Sequence, residues 1–356
     1  MATCLIALGS NLGDRGQTLE RALKSLAQQN TRIIARSQWY QTPPVGGPPG
    51  QGDFLNGAIT VETSLAPEEL HAALKDIERS CGRQSTERWA ARTLDLDLLL
   101  YDDLVLDTPR LTVPHPRMAF RRFVLAPAAE IAAGMVHPII GWTIGELLDH
   151  IDRARPYVAV TGLSGAGQLE LAQALVRQLG GQLLPDRASA ASRLPGDDDD
   201  EGLHAHELAI IQERAALLDE KNLPEDGSLV ASPFWFDESL AYAEVYNSES
   251  DRKHLKEALL RLQRSVVRPR LVVFLDPPLD YLSAHALAGS TAPSKNSLER
   301  LRRALWKVLR RPDVGPVLHA ESTDPSQVLA EVIAAGQAMC DQGMSVYRPG
   351  DESAPS

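Results

Sequence analysis

Hydrophobic residues in the first part of the chain recur with two different periods. The segments "TCLIALGSN", "RIIARSQWYQT" and "FLNGAITVET" are apolar or alternating over short distances, which predicts β-strands. Between them, "RGQTLERALKSLAQQ" and "APEELHAALKDIERSCG" repeat apolar residues every three or four positions, which predicts amphipathic helices. Pro67 early in the second helix and Gly82 after it are typical start and stop signals. The pattern therefore predicts an α/β fold.

A new apolar strand begins near residue 156. The segment "YVAVTGLSGAGQLELAQALVRQL" has the order strand, glycine-rich turn, helix, which is the usual opening of a nucleotide-binding α/β unit. We therefore place a boundary at residues 152–156. The prediction is two domains, residues 1–152 and 156–340, followed by a disordered tail over residues 341–356.

The stretch "RTLDLDLLLYDD", residues 92–103, combines a leucine-rich strand pattern with two aspartates. Residues i and i+2 of a strand point to the same side, so Asp95 and Asp97 share one face and the leucines share the other. Two neighbouring carboxylates suit an oxygen-loving divalent ion such as Mg²⁺. A half-exposed strand with a solvated acidic face is the alternative that this stretch leaves open.

Composition narrows the class of protein. The 356 residues are 44% hydrophobic and 23% charged, and no apolar run approaches the roughly 18 residues that a membrane span needs. The chain starts without a basic leader and has three widely spaced cysteines, so we expect a cytoplasmic protein. The net charge of −11 argues against nucleic-acid binding. Seven arginines within residues 83–122 instead favour a small anionic ligand.

Five motifs occur in an order that resembles a known family. They are "ALGSNLGDR", "YQTPPVG", "DFLNGAI", "RWAARTLDLDLLLYD" and "VPHPRMAFRRFVLAPAAEIA". In this order they resemble 6-hydroxymethyl-7,8-dihydropterin pyrophosphokinase over residues 1–150. The resemblance implies a ferredoxin-like α+β sandwich with a mostly antiparallel sheet. It also implies transfer of pyrophosphate from ATP to the pterin hydroxymethyl group, with release of AMP, in tetrahydrofolate biosynthesis.

The resemblance also assigns the nucleotide side of the site. Asp95 and Asp97 match the residues that ligate two Mg²⁺ ions, and Arg83 and Arg92 match contacts to the polyphosphate. These four are the predicted catalytic residues. The predicted ATP contacts are Lys75, Glu78, Arg110, Thr112, His115 and Arg121.

The pterin side is assigned in the same way. A flat heteroaromatic ring needs stacking faces and a few amide partners. The family positions fall on Thr42, Pro43, Val45, Phe54, Asn56, Trp89 and Phe123.

The second half contains an altered phosphate loop. A working loop reads GxxxxGK[ST], whereas "GLSGAGQL" has Gln168 at the lysine position and Leu169 at the hydroxyl position. The surrounding segments resemble deoxynucleoside kinases, which implies a three-layer α/β/α fold with a parallel sheet and a possible homodimer through this half. We expect a non-catalytic kinase relative. A kinase that still phosphorylates deoxynucleosides and a nucleotide-sensing regulatory module are the two alternatives.

Overall fold

The computed structural model describes residues 1–48, 50–83, 91–186, 200–285, 294–340 and 343–348, with the backbone alone for residues 200–203. The chain divides into two compact units. Unit 1 contains Met1–Asp152 and Ala334–Ser356, and unit 2 contains Arg153–Ile333. The last part of the chain therefore returns to unit 1, whereas the sequence placed residues 334–340 in the second domain.

Unit 1 is built on a six-stranded sheet in the order β13-β3-β4-β1-β5, with β2 also paired to β4. The strand pairings described in this sheet are all antiparallel. The strands are β1 (Ala2–Ser10), β2 (Thr31–Arg36), β3 (Tyr40–Thr42), β4 (Phe54–Thr63), β5 (Asp95–Tyr101) and β13 (Ser345–Val346), beside a separate ribbon of β6 (Leu106–Asp107) and β7 (Thr112–Val113). This arrangement confirms the predicted α+β class with a mostly antiparallel sheet.

Helices of unit 1 are α1 (Arg15–Leu26), α2 (Pro67–Ser80), α3 (Arg122–Ala132) and α4 (Ile144–Arg153). Helix α2 begins where the sequence places it. Pro67 occupies its first turn, and the Glu69 carboxylate accepts a hydrogen bond from the Ala66 N–H at 2.8 Å. Gly82 follows its end with φ +87°, a conformation that glycine adopts without strain. Leu70 and Leu74 of this helix are fully buried in the core beneath the sheet.

Unit 2 is built on a five-stranded sheet in the order β12-β11-β8-β10-β9, in which every pairing is parallel. The strands are β8 (Tyr157–Gly162), β9 (Gln182–Leu183), β10 (Val230–Ser232), β11 (Leu271–Leu275) and β12 (Val317–Ala320). The helices are α5 (Gln168–Leu179), α6 (Asp200–Leu217), α7 (Ser239–Tyr246), α8 (Glu249–Leu262), α9 (Leu279–His285) and α10 (Lys295–Leu309), together with the first part of α11 (Pro325–Met339), whose residues from Ala334 onward belong to unit 1. The parallel sheet with its connecting helices confirms the predicted α/β class of this half.

The end of the chain differs from the predicted disordered tail. Ser345 and Val346 form strand β13, which pairs antiparallel with Gln41 and Tyr40 of β3. The physical reason is the open edge of β3, since its backbone groups need partners and the returning chain supplies them. Residues 349–356 lie outside the described part of the chain. Within that described part, no helix is long and apolar enough to cross a membrane.

Candidate active site

Strand β5 presents its two aspartates on the face away from the leucine core. Leu96 and Leu98 are buried at 1% and 3% exposure, whereas the Asp95 and Asp97 side chains keep 24% and 26%. The period of two along the strand produces this separation. Both carboxylates are therefore accessible from one side of the sheet, as the sequence pattern predicts.

Two arginines hold Asp95. Arg83 Nη1 lies 2.7 Å from Asp95 Oδ1, and Arg92 Nη1 lies 2.9 Å from Asp95 Oδ2. Each carboxylate oxygen thus accepts a charge-assisted hydrogen bond from a separate guanidinium group. Both arginine side chains stay partly exposed, at 22% and 28%. The arrangement gathers two cations and one anion at the mouth of the site.

His115 faces the second aspartate. Its Nε2 atom lies 3.8 Å from Asp97 Oδ2, and its Nδ1 atom accepts a hydrogen bond from the Arg117 N–H at 3.2 Å. Burial lowers the pKa of His115 to about 4, an effect that Asp97 opposes and Arg121 reinforces. His115 is therefore neutral near pH 7. Since Nδ1 is an acceptor, the ring proton resides on Nε2 and points toward Asp97.

Positive charge surrounds Asp97. Burial raises the pKa of this carboxyl, but the neighbouring His115, followed by Lys75 and Arg121, outweighs burial, and the pKa stays below the usual value. Asp97 is thus an ionised carboxylate, which is the form that a metal ligand requires.

Glu78 and Lys75 of helix α2 close the free edge of β5. The buried Glu78 carboxylate accepts hydrogen bonds from the Leu96 N–H at 2.7 Å and from Lys75 Nζ at 2.8 Å, and it lies 2.5 Å from Arg83 Nη1. Lys75 Nζ in turn donates to the Leu96 carbonyl at 3.3 Å. Burial raises the pKa of Glu78, against the opposing effect of Lys75. In the structure the Glu78 carboxylate positions β5 and Arg83, and the ATP contact that the sequence predicts for Glu78 stays a prediction.

The strand register links the aspartates to the predicted pterin residues. Asn56 of β4 pairs with Gly9 of β1, and Gly9 pairs with Asp95 of β5. Paired residues of antiparallel strands project to the same face, so these positions form one row across three strands. A Cβ atom at Gly9 would lie 2.9 Å from Asn56 Oδ1 and 3.8 Å from Phe54 Cδ1. Glycine at this position keeps the space between the amide and the carboxylate open.

The other pterin-side residues form a cleft. Asn56 Nδ2 donates to Thr42 Oγ1 at 2.8 Å, and Arg121 lies 5.7 Å from the centre of the Phe123 ring. An open cleft is lined by Thr42, Pro43, Val45, Arg122, Phe123, Gln337, Ala338, Cys340 and Met344. The structure therefore brings four of the predicted pterin residues together and adds residues from the end of the chain.

Known proteins match the first part of the chain. The family model of 7,8-dihydro-6-hydroxymethylpterin-pyrophosphokinase (HPPK) matches residues 5–133. The 2-amino-4-hydroxy-6-hydroxymethyldihydropteridine pyrophosphokinase of Synechocystis sp. is 41% identical over 167 residues, which cover 47% of this chain and 85% of the relative. The enzyme of the same name from Haemophilus influenzae is 42% identical over 154 residues, covering 42% of this chain and 96% of the relative.

The chain belongs to the HPPK family. Its first unit is therefore a pyrophosphokinase of folate biosynthesis, as the motif order predicts. We refer to unit 1 below as the HPPK unit.

Structural neighbours cover the other half of the chain. A deoxyadenosine kinase from M. mycoides with bound dCTP is 13% identical with a TM-score of 0.41, covering 50% of this chain and 96% of the neighbour. A thymidylate kinase from Candida albicans is 16% identical with a TM-score of 0.41, covering 52% and 94%. Sequence identities and TM-scores this low do not support any inference about the function of unit 2.

Among the described residues, two that are predicted for the HPPK site, Arg110 and Thr112, are not joined to the rest. Arg110 is exposed, and Thr112 Oγ1 donates to Asp107 Oδ1 at 3.3 Å on the β6–β7 ribbon. Trp89 lies outside the described residues. Their predicted roles stay predictions.

Sequence reasoning missed the residues that hold Arg92 in place. Asn11 Oδ1 accepts a hydrogen bond from the Arg92 N–H at 2.7 Å, and the Asn11 N–H donates to the Arg92 carbonyl at 3.1 Å. Ser10 Oγ donates to the Thr93 carbonyl at 2.6 Å. Ser10 is the last residue of β1 and Asn11 follows it, and buried polar residues at this strand end were the available signal. These contacts fix the backbone from which Arg92 reaches Asp95.

The glycine-rich turn of unit 2 retains its backbone shape. Gly165 and Gly167 have φ values of +88° and +91°, and Gly167 caps helix α5. Gln168 Nε2 donates to the Leu163 carbonyl of the same turn at 3.1 Å, and Leu169 is 46% exposed. Gln168, at the position of the usual lysine, is thus hydrogen-bonded to the turn itself. Leu169, at the position of the usual hydroxyl residue, exposes an apolar side chain to solvent.

Proposed function

We propose that the HPPK unit uses Asp95 and Asp97 as ligands for Mg²⁺ while it transfers pyrophosphate from ATP to 6-hydroxymethyl-7,8-dihydropterin and releases AMP. The observation that supports this assignment is the shared face of the two carboxylates on strand β5. That face also carries Gly9 and Asn56 in the row that leads to the pterin cleft. Nucleotide and pterin would therefore meet above one row of the sheet.

The donor set fits magnesium. Mg²⁺ prefers hard oxygen ligands and binds through one or two carboxylates together with substrate phosphates. Asp95 and Asp97 offer such oxygens from a rigid strand, and both side chains are about a quarter exposed. Two ions, as the family resemblance implies, would be shared between these carboxylates. When bound, the metal would screen the negative charge of the triphosphate and orient it.

Arg83 and Arg92 supply positive charge to the site. In this structure both guanidinium groups neutralise Asp95. If the Asp95 carboxylate held a cation instead, the two arginines would be free to donate to the polyphosphate oxygens, where negative charge develops during transfer. Glu78 retains its 2.5 Å contact to Arg83 and so keeps this guanidinium at the mouth of the site.

His115 acts as a neutral hydrogen-bond donor. With a pKa of about 4 it carries no charge near pH 7, and its Nε2 proton points toward Asp97. A phosphate oxygen placed beside Asp97 would accept that proton in a hydrogen bond without any proton transfer. The ring is oriented by the Arg117 N–H on its other nitrogen.

Phe54, Asn56 and Phe123 are the residues that would hold the pterin. Asn56 directs its Oδ1 atom to the space above Gly9, while its amide nitrogen is held by Thr42. The amide oxygen can accept from the ring N–H groups of a pterin, and the phenyl rings can stack on its faces. The hydroxymethyl group would then lie on the side of the aspartates.

An AMP-release assay tests this proposal. We expect Asp95→Asn and Asp97→Asn each to lower kcat by roughly a hundredfold or more, since loss of a metal ligand removes several kcal/mol of charge stabilisation. Asp103→Asn, at an exposed acid after the same strand, is the matched control and should retain normal turnover. Near-normal AMP release by Asp97→Asn would remove this residue from the metal role.

For unit 2 we propose a non-catalytic kinase relative. The supporting observation is Gln168, which has no charge for a phosphate and is bonded to the Leu163 carbonyl. The two activities give different products, because pyrophosphate transfer releases AMP whereas an ordinary kinase releases ADP. We expect the full chain to form no ADP from ATP and a panel of deoxynucleosides, and ADP formation would contradict the proposal. The homodimer through this half stays a prediction that light scattering can measure.

A further inference from the structure

The end of the chain contributes to the HPPK unit although it lies 200 residues beyond the family match, which ends at residue 133. We name residues 334–340 and 343–348 the return segment. It contains the end of helix α11 and strand β13. Because the family model stops before unit 2, nothing in the match assigns a role to this segment.

The return segment is anchored to the strand that leads into the pterin cleft. Strand β13 pairs with residues 40 and 41 of β3, and the Tyr347 N–H donates to the Trp39 carbonyl at 2.8 Å. Tyr347 also packs against the hydrophobic core of the HPPK unit. Strand β3 ends at Thr42, and the predicted pterin residues Pro43 and Val45 follow immediately. The anchor therefore lies next to the cleft along the chain.

Side chains of the return segment line the cleft itself. Gln337, Ala338, Cys340 and Met344 share it with four predicted pterin residues. Met344 is fixed by Arg122, whose Nη1 donates to the methionine sulfur at 3.4 Å. Arg122 Nε in turn donates to Asp152 Oδ1 at 2.8 Å. The wall is thus held by the backbone pairing of β13 and by the side-chain contacts of the neighbouring Met344.

We propose that the return segment is a wall of the pterin site and sets the affinity for the pterin, with Met344 as a specificity-determining residue. The inference rests on the proposed function of the HPPK unit. An apolar, polarisable thioether beside Phe123 is suited to cover one side of a flat heteroaromatic ring. The triphosphate side of the site contains no residue of the segment among the described contacts, so the effect is confined to the pterin.

Two truncations of the full chain test the wall. A chain ending at residue 342 lacks β13 and Met344, whereas a chain ending at residue 348 retains both and serves as the control. We expect the first to raise KM for the pterin by about tenfold with KM for ATP unchanged. The control should leave both values unchanged. An unchanged pterin KM in the shorter chain, or faster turnover that reveals an inhibitory segment, would overturn the proposal.

A point variant covers the case in which the shorter chain fails to fold. Met344→Ala removes the thioether and leaves strand β13 in place, so circular dichroism and the melting temperature should stay near wild type. We expect a rise in pterin KM in the same direction, with ATP unaffected. An unchanged pterin KM would then decide against the wall. Absence of AMP release by the wild-type chain would instead contradict the proposed function, which keeps the two failures distinguishable.

A separate observation in unit 2 concerns three side chains on helices α6 and α8. His204, Asp251 and His254 place one ligand atom each within 4.8 Å of one another. His204 Nδ1 lies 3.6 Å from Asp251 Oδ1 and is buried without a hydrogen-bond partner. Asp251 and His254 are three residues apart on one helix and so project to the same side. Ser248 Oγ donates to Asp251 Oδ2 at 2.7 Å, which leaves Oδ1 facing His204.

We also infer that these three residues bind a divalent transition ion of the Zn²⁺ class. Two imidazoles and one carboxylate suit zinc, whereas Mg²⁺ prefers oxygen ligands alone. The hydrogen bond from Ser248 is the outer support that such a carboxylate ligand usually has.

Calorimetric titration of the metal-free full chain with Zn²⁺ and with Mg²⁺ tests this site. We expect His254→Ala, at an exposed position, to remove one Zn²⁺ equivalent or weaken it at least about tenfold. His285→Ala, at a histidine on helix α9, is the control and should bind as wild type. Unchanged Zn²⁺ binding in His254→Ala, or an equal response of this site to Mg²⁺, would overturn the inference.

Discussion

The Glu78 carboxylate accepts a hydrogen bond from the backbone N–H of Leu96, the residue between the two aspartates, at 2.7 Å. Strand β5 lies at the edge of the sheet, and its outward backbone groups need partners. Glu78 and Lys75 satisfy the N–H and the carbonyl of Leu96 in place of a further strand. Helix α2 thereby positions the backbone of Leu96, and with it the side chains of Asp95 and Asp97 on either side.

Glu78→Ala is expected to damage both stability and turnover. The change leaves the Leu96 N–H without its partner and removes the counter-charge of Lys75 and Arg83, which costs about 3–5 kcal/mol for a buried ionic group. Glu78→Gln keeps an acceptor for Leu96 and should be less destabilised. Urea denaturation and the AMP-release assay measure the two effects. Equal stability of Glu78→Ala and wild type would contradict the positioning role.

Gly9→Ala is expected to weaken pterin use without unfolding the chain. Gly9 has an ordinary strand conformation, but the new methyl group would lie 2.9 Å from Asn56 Oδ1 and force that amide to move. We expect KM for the pterin to rise about tenfold with KM for ATP little changed. Gly134→Ala is the control, since no atom within 4 Å would meet its methyl group. Unchanged pterin kinetics in Gly9→Ala would show that the pterin does not bind over the row of Asn56, Gly9 and Asp95.

Arg92→Ala is expected to lower kcat by about a hundredfold to a thousandfold, the usual effect of losing one donor to developing negative charge. Arg92→Lys keeps the charge but loses the planar fork and should be intermediate. Arg79→Ala, at an exposed arginine paired with Asp76, is the matched control. Steady-state AMP release measures all three. A normal kcat in Arg92→Ala would exclude this residue from charge stabilisation.

His137 makes the stability of the HPPK unit depend on pH. The ring is buried, its Nδ1 accepts from the Ile140 N–H at 3.2 Å, and burial lowers its pKa from 6.5 to about 4. The unfolded chain therefore takes up the proton first as the pH falls. Stability is complete above about pH 6.5 and is lost as the pH falls toward 4, by on the order of 3 kcal/mol.

His137→Asn isolates this contribution. The asparagine oxygen can accept from Ile140 but does not titrate in this range. We expect urea denaturation of the full chain at pH 7.5 and 4.5 to show a smaller loss of stability in the variant than in wild type. His115 has a similarly lowered pKa and contributes equally to both proteins. An identical pH dependence in the two proteins would contradict the prediction.

Sequence features within a few residues were enough to predict the ends of helix α2 and the shared face of Asp95 and Asp97 on strand β5. Pro67 and Gly82 mark the helix ends through their own backbone preferences, and Asp95 and Asp97 share a side because a strand alternates with a period of two. The order of the motifs was enough to predict the family. None of these required knowledge of distant contacts.

Contacts between distant segments decided the rest. The sequence by itself determined the two fold classes, the family and the acidic face of β5, because periodicity and turn chemistry act within a few residues. Only the tertiary structure decided that Glu78 supports Leu96, that Asn56 and Asp95 flank Gly9, and that residues 345–346 return to β3. Register and edge pairing join segments far apart along the chain, and their energies depend on how the whole sheet packs.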